Sequence, residues 1–72
     1  MSDTKSQLEI LIDKYTERRN YAVKHRDEAR ALANANYSCG NRENGSKYAA
    51  MEAYHETNRM RCDEFLEDLA TL

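Results

Sequence analysis

The stretch NYSCGNRENGS, residues 36–46, decides how this chain folds. It contains both glycines of the 72-residue sequence and three asparagines. Glycine and asparagine tolerate turn and left-handed conformations, and no other segment of this proline-free sequence has such a composition. We therefore expect a turn at about residues 37–45, between a first helix at about residues 4–36 and a second helix at about residues 46–71.

Apolar residues spaced three and four apart predict the first helix, because this spacing puts them on one helix face. The stripe consists of Leu8, Leu11, Ile12, Tyr15, Ala22, Ala29, Leu32 and Ala33. Asp3 or Ser6 is expected to cap its start, and Ser6 with Glu9 fits the capping box. Ser46 is the expected N-cap of the second helix.

The second helix is predicted by a heptad seam with apolar ends and a polar middle. The seam consists of Tyr48, Met51, His55, Asn58, Cys62, Phe65, Leu69 and Leu72. A short turn between long helices indicates an antiparallel hairpin, in which the numbers of facing residues add up to about 82. His25 then lies near His55 and Asn58 in a polar layer at mid-height. Cys39 and Cys62 are too far apart for a disulfide, so both are expected to be free thiols.

The chain has only ten Leu, Ile, Val and Phe residues, and a two-helix hairpin shields one side of each helix. Further apolar residues fall partly off the seam and extend the apolar faces toward a second chain. They are Tyr21, Val23, Tyr54, Met60 and Leu66. We therefore expect an all-α protein, an antiparallel two-helix hairpin that assembles into a homo-oligomeric bundle, most simply a dimer of four helices.

The charges limit the classes of partner. The chain has 11 basic and 13 acidic residues, a net charge of −2, and this balance disfavours duplex DNA as a partner. No apolar run approaches the roughly 18 residues that a membrane span needs. The polar start has no apolar region typical of a signal peptide, so we expect a cytoplasmic protein that does not bind membranes.

The polar layer is the candidate ligand site. Guanidiniums suit phosphates, and phenol and imidazole rings stack on flat bases. The expected contacts are Tyr21, His25, Arg26, Arg30, Tyr54, His55 and Arg59. The alternative is a hydrogen-bonded layer that only fixes the register of the helices. Since no nucleophile is placed beside a base, we expect neither catalytic activity nor a cofactor.

A metal site is a further alternative. Glu52 and His55 have the Glu-x-x-His spacing of carboxylate-bridged metal bundles, and Glu28 lies near residue 54 in the hairpin. Two hairpins could assemble such ligands around two metal ions. Short motifs of this kind arise readily by chance, so no residue is assigned as a metal ligand.

One segment resembles a known family. His25–Ala33 (HRDEARALA), followed by Asn41-Arg42-Glu43 and a Glu/Ala-rich helix, is similar to the helical hairpin domain of phage anti-defence proteins that sequester cyclic nucleotide signals, the anti-CBASS sponge group. The matching positions are Arg26, Asp27, Ala29, Leu32, Ala33, Arg42 and Glu43. Asn41 stands where the family has Ser, and the family's tryptophan in the second helix is absent, so no ligand contact is carried over.

The resemblance implies a small oligomeric hairpin that binds a signalling nucleotide between subunits without catalysis. It favours a phage counter-defence protein that sequesters an anionic nucleotide. The alternative from a different class is a small helical regulator that binds a host protein or RNA.

Overall fold

The computed structural model describes residues 6–72, which form two antiparallel α-helices. Helix α1 spans Gln7–Ser38 and helix α2 spans Arg42–Ala70. Ser6 caps α1 as expected, because its hydroxyl oxygen accepts a hydrogen bond from the backbone N–H of Glu9 at 3.2 Å. The other proposed cap, Asp3, lies outside the described residues. The predicted helical hairpin is confirmed.

The turn is shorter than predicted and ends at a different cap. Helix α1 ends in a Schellman motif, in which Asn41 N–H donates to Asn36 O at 2.8 Å and Gly40 N–H donates to Tyr37 O at 3.1 Å. Gly40 takes the left-handed conformation that this motif requires, with φ +83°. Asn41 also caps α2, since its side chain accepts from Asn44 N–H. The expected cap at Ser46 is therefore wrong, because α2 begins four residues earlier.

Gly45 lies in the first turn of α2 rather than in the loop. It is buried, and the ring of Tyr37 covers it so closely that a Cβ atom there would stand 2.7 Å from two ring carbons. The glycine is thus required by the packing of an aromatic ring on the backbone. This close approach joins the last turn of α1 to the first turn of α2.

The register of the hairpin agrees with the prediction. The numbers of residues in contact across the hairpin add up to 80 to 82, as the ion pair of Arg26 with Glu56 and the ring contact of Tyr15 with Phe65 illustrate. His25 and His55 face each other at mid-height, with ring centroids 5.6 Å apart. The two helices therefore match as expected along their length.

The rotation of the helices about their axes differs from the prediction. The buried residues of the seam are Ala22, Ala29, Ala33, Gly45 and Leu69. Large apolar residues of the two expected stripes are instead exposed, namely Leu32, Met51, Phe65 and Leu72. Small alanines let the helices approach closely, and ion pairs along one side turn the apolar stripes toward the other side.

The hairpin consequently has two different long sides. The closed flank carries Arg19, Arg26, Arg30 and Tyr37 of α1 opposite Gly45, Glu52, Glu56 and Asp63 of α2. The open flank is marked by the groove residues Lys14, Glu17 and Tyr21 of α1 and Tyr54 and Asn58 of α2. Helical spacing places Ile10, His25, Glu28 and Leu32 of α1 and Met51 and Phe65 of α2 on the same side. Over the described residues, neither helix contains an apolar segment long enough to cross a membrane.

Candidate functional site

Ion pairs between the helices occupy the closed flank. Arg26 donates to Glu56 at 2.8 Å, Arg30 to Glu52 at 2.7 Å, and Arg19 to Asp63 at 2.5 Å. Within α2, Arg59 extends this ladder by donating to both Glu56 and Asp63. The guanidiniums on this flank are therefore held by carboxylates of their own chain.

Glu56 is the centre of the ladder. Hydrogen bonds from Arg59 and then from Arg26 lower the pKa of its carboxyl to about 2, because they stabilise the charged form. The same hydrogen bonds raise the pKa of Arg59 and of Arg26. These charges hold the two helices together, which leaves them poorly suited to an external anion.

A groove of about 650 Å³ runs along the open flank between the helices. This volume falls within the range of about 300–1,000 Å³ that is typical of ligand pockets. Its lining consists of Lys14, Tyr15, Glu17, Arg18, Tyr21, Ala22, Tyr54, His55, Asn58 and Cys62. Tyr21 and Tyr54 stand on opposite helices with 61% and 65% of their surface exposed. Their rings are free to contact a ligand.

Four aromatic side chains form a continuous cluster at mid-height. The ring centroids of Tyr21 and His25 lie 4.1 Å apart, and those of Tyr54 and His55 lie 5.3 Å apart. The two imidazoles join these pairs across the hairpin. His25 is oriented by Glu28, whose carboxylate oxygen lies 3.0 Å from Nδ1 of the imidazole. Three members of this cluster, Tyr21, Tyr54 and His55, line the groove.

Two cations lie at the end of the groove nearer the start of α1. The guanidinium carbon of Arg18 lies 5.2 Å from the ring centroid of Tyr15, and Nζ of Lys14 lies 5.8 Å from it. Such cation–π contacts hold long side chains near an aromatic ring. Neither residue belongs to the set that was predicted to contact a ligand. Lys14, Arg18 and Tyr21 follow one another in steps of four and three residues along one helix, a signal that could have identified the two cations.

The structure divides the seven residues that were predicted to contact a ligand. It brings together Tyr21, His25, Tyr54 and His55 on the open flank. It places Arg26, Arg30 and Arg59 on the closed flank, where each pairs with a carboxylate. The aromatic half of the predicted set therefore forms one cluster, and the arginine half does not join it.

The residues of the proposed Glu-x-x-His metal motif point to different neighbours. Glu52 accepts from Arg30 on the closed flank, whereas His55 packs against Tyr54 and His25. Within residues 6–72, no group of three or more His, Cys, Asp or Glu side chains is arranged to hold a metal ion. Both cysteines are free thiols in the structure, and Cys62 lines the groove.

Comparison with known proteins identified no relative of this chain. No protein-family model, curated protein or solved structure matches the chain.

Proposed function

We propose that this chain is a non-enzymatic, homo-oligomeric binding module whose groove takes an anionic aromatic ligand of the nucleotide class. The observation that supports the proposal is the pair of exposed tyrosines, Tyr21 and Tyr54, on opposite walls of a groove with cations at one end. Rings on both walls suit a flat base. Cations at one end suit a phosphate.

Different residues of the groove lining would contact different parts of the ligand. A base would stack on Tyr21 or Tyr54, a contact worth about 1–3 kcal/mol per base in proteins that bind single strands. Lys14 and Arg18 would pair with phosphate oxygens. Glu17, which also lines the groove, would accept a hydrogen bond from a sugar hydroxyl or an amino group. These roles orient and hold a ligand, and none of them requires a catalytic step.

The resemblance of His25–Ala33 to the anti-CBASS hairpin narrows the class to cyclic nucleotide signals. In that interpretation, the protein lowers the free concentration of the signal by sequestering it, as a phage counter-defence protein would. The arginines of the closed flank are not part of the proposed contact set, since their charges are already neutralised by carboxylates.

A panel of ligands tests the proposal by thermal shift. A ligand that binds only the folded state stabilises it by RT ln(1 + [L]/Kd), or about 2.7 kcal/mol at 100 times Kd. Cyclic dinucleotides and nucleoside phosphates are expected to raise Tm. Adenosine lacks the phosphate and pyrophosphate lacks the ring, so each is expected to raise it less. Indifference to every nucleotide would overturn the proposal.

Two matched pairs of variants locate the site. Arg18→Gln and Tyr54→Ala change the groove, and we expect each to weaken nucleotide binding about tenfold or more. Arg30→Gln and Tyr37→Ala make the same changes on the closed flank, and they are expected to leave binding unchanged. If Arg30→Gln weakened binding and Arg18→Gln did not, the ligand would lie on the closed flank.

The second candidate function is a regulator that binds a host protein or RNA. It is favoured by the large apolar side chains that remain exposed on the open flank, including Leu32, Met51 and Phe65. A protein partner would be recovered by pull-down, with no response to nucleotides or salt. RNA binding would instead weaken steeply as salt rises.

A further inference from the structure

One stripe of α1 on the open flank has a spacing that is the same in both directions. Its members are separated by 4, 3, 4, 4, 3 and 4 residues and are Ile10, Lys14, Glu17, Tyr21, His25, Glu28 and Leu32. Steps of three and four keep them on one helix face. All seven are exposed or half-exposed, so the whole stripe is accessible to another molecule.

Reversing this stripe about Tyr21 pairs side chains of complementary chemistry. Ile10 meets Leu32, which is an apolar pair. Lys14 meets Glu28, and Glu17 meets His25, which are pairs of a carboxylate with a basic group. Self-complementarity of this kind is what an isologous interface between two identical chains requires, because each residue contacts its counterpart in reverse order.

The corresponding stripe of α2 can be reversed about a centre of its own. It consists of Lys47, Met51, Tyr54, Asn58, Arg61, Phe65, Asp68 and Leu72, separated alternately by 4 and 3 residues. Reversal pairs Tyr54 with Phe65 and Asn58 with Arg61 about a centre between residues 59 and 60. The outer pairs, Met51 with Asp68 and Lys47 with Leu72, add no further complementarity.

The two centres lie at the same height in the hairpin. Facing residues have numbers that add up to 80 to 82, so the residues opposite Tyr21 are 59–61. The centre of the α2 stripe falls within this range. A single two-fold axis can therefore serve both helices.

We propose that a second copy of this chain packs antiparallel on the open flank, about a two-fold axis that passes beside Tyr21. Helix α1 then lies on the partner's α1, and α2 lies on the partner's α2. The hairpin measures 57 by 24 Å along its two longer axes, enough to supply the ~800 Å² per partner of a standard interface. The exposed tyrosines and apolar side chains of the flank become buried between the chains.

This arrangement deepens the oligomeric part of the proposed function, on which its consequence for the ligand rests. The groove becomes a space between two hairpins. The partner's Tyr21 covers it and closes it to bulk water. Two grooves related by the axis then face each other at mid-height. A ligand with two-fold symmetry matches this site better than a mononucleotide, so the structure favours a cyclic dinucleotide.

Cysteine cross-linking tests the packing without any ligand. In a cysteine-free background, C39S/C62S, the variants Ile10→Cys and Leu32→Cys are oxidised separately and as an equimolar mixture. The two-fold axis brings Ile10→Cys beside the partner's Leu32→Cys, so the mixture is expected to give about tenfold more covalent dimer than either variant alone. In a parallel dimer these positions are separated by about 33 Å of helix, and the mixture would give no excess.

Two further variants complete the test. Tyr21→Cys lies at the axis and is expected to cross-link to itself, whereas the native Cys39 of a C62S variant lies at opposite ends of the dimer and is expected not to. Cross-linking through Cys39, or a monomer in sedimentation at every concentration up to about 1 mM, would overturn the packing. A dimer that is linked as expected but indifferent to nucleotides would refute the ligand and leave the packing intact.

Discussion

The two flanks of the hairpin differ in how many of their side chains have partners within the same chain. On the closed flank, Arg19, Arg26 and Arg30 each reach a carboxylate on the other helix. On the open flank, Tyr21 and Tyr54 line the groove and leave most of their surface in water. The charges of the closed flank are therefore satisfied within the chain, whereas the rings of the open flank remain accessible to another molecule.

This difference shows which interactions fix the fold and which remain for a partner. The seam between the helices buries mainly alanines, whose small side chains supply little hydrophobic stabilisation. Register and helix rotation are instead set by the ion pairs and by the ring of Tyr37 on Gly45. Because the charges take one side, the larger apolar side chains are left on the side where a second chain can use them.

The largest effect is expected from a charge at the proposed two-fold axis. Tyr21→Glu places two carboxylates face to face in the dimer and removes two aromatic contacts, so we expect association to weaken about 100-fold or more. Sedimentation equilibrium measures the change. Asn20→Glu adds the same charge one residue away, off the stripe, and should leave association unchanged. Equal effects of the two variants would remove the distinction between the axis and the rest of the surface.

The closed flank is expected to control stability rather than association. Glu56→Gln leaves Arg26 and Arg59 without the carboxylate that both contact, so Tm at pH 7 should fall. The pKa of Glu56 in the fold is about 2, below its value of ~4.3 in the unfolded chain. Its contribution is therefore full above the unfolded pKa and is lost as pH falls toward 2.

The difference in Tm between the wild type and Glu56→Gln should consequently narrow between about pH 4.5 and pH 2. Circular dichroism across this range measures it. Glu64→Gln, which removes an exposed carboxylate of α2, is the control and should give a nearly constant difference. If the difference in Tm between the wild type and Glu56→Gln stayed constant down to pH 2, the assignment of Glu56 as the centre of the ladder would be contradicted.

The sequence predicted some of these features because they depend on local pattern alone. Helical spacing, the cap at Ser6 and the register of the hairpin each follow from the order of residues near one point. The cap at Asn41 was missed because Gly45 is typical of a turn, and only its contact with Tyr37 explains why it lies within a helix.

The rotation of α2 was missed for a different reason. The apolar heptad of α2 was expected to face α1, but its large members Met51 and Phe65 are exposed. Glu52 and Arg59, which lie outside the predicted heptad, are half-buried instead. The closed flank is occupied by the ion pairs of Arg19, Arg26 and Arg30 with carboxylates of α2. Spacing along one helix does not reveal these pairs. The arginines were expected in the ligand site for the same reason. Spacing does not show that Arg26 and Arg30 pair with α2, or that Arg59 pairs with carboxylates of its own helix.

A smaller effect is expected where the ring of Tyr37 covers Gly45. Ala is favoured over Gly within a helix by about 1 kcal/mol, yet a Cβ at this position would overlap the ring. We expect Gly45→Ala to raise the free energy of unfolding by about 1 kcal/mol in a Tyr37→Ala background, and to give no such gain in the wild type. Urea denaturation at one fixed protein concentration measures both. An equal gain in both backgrounds would show that the ring does not constrain the closed flank.

The smallest effect is expected from the charges of the open flank, and it is the most specific test of the two-fold axis. Lys14→Glu and Glu28→Lys should each weaken association several-fold, since an exposed pair contributes about 0.2–1 kcal/mol and the dimer contains two such pairs. The double variant exchanges the charges and should regain most of the loss. Raising the salt concentration should shrink all three differences through screening. If the losses in association free energy of the two single variants simply added in the double variant, residues 14 and 28 would not meet across the interface.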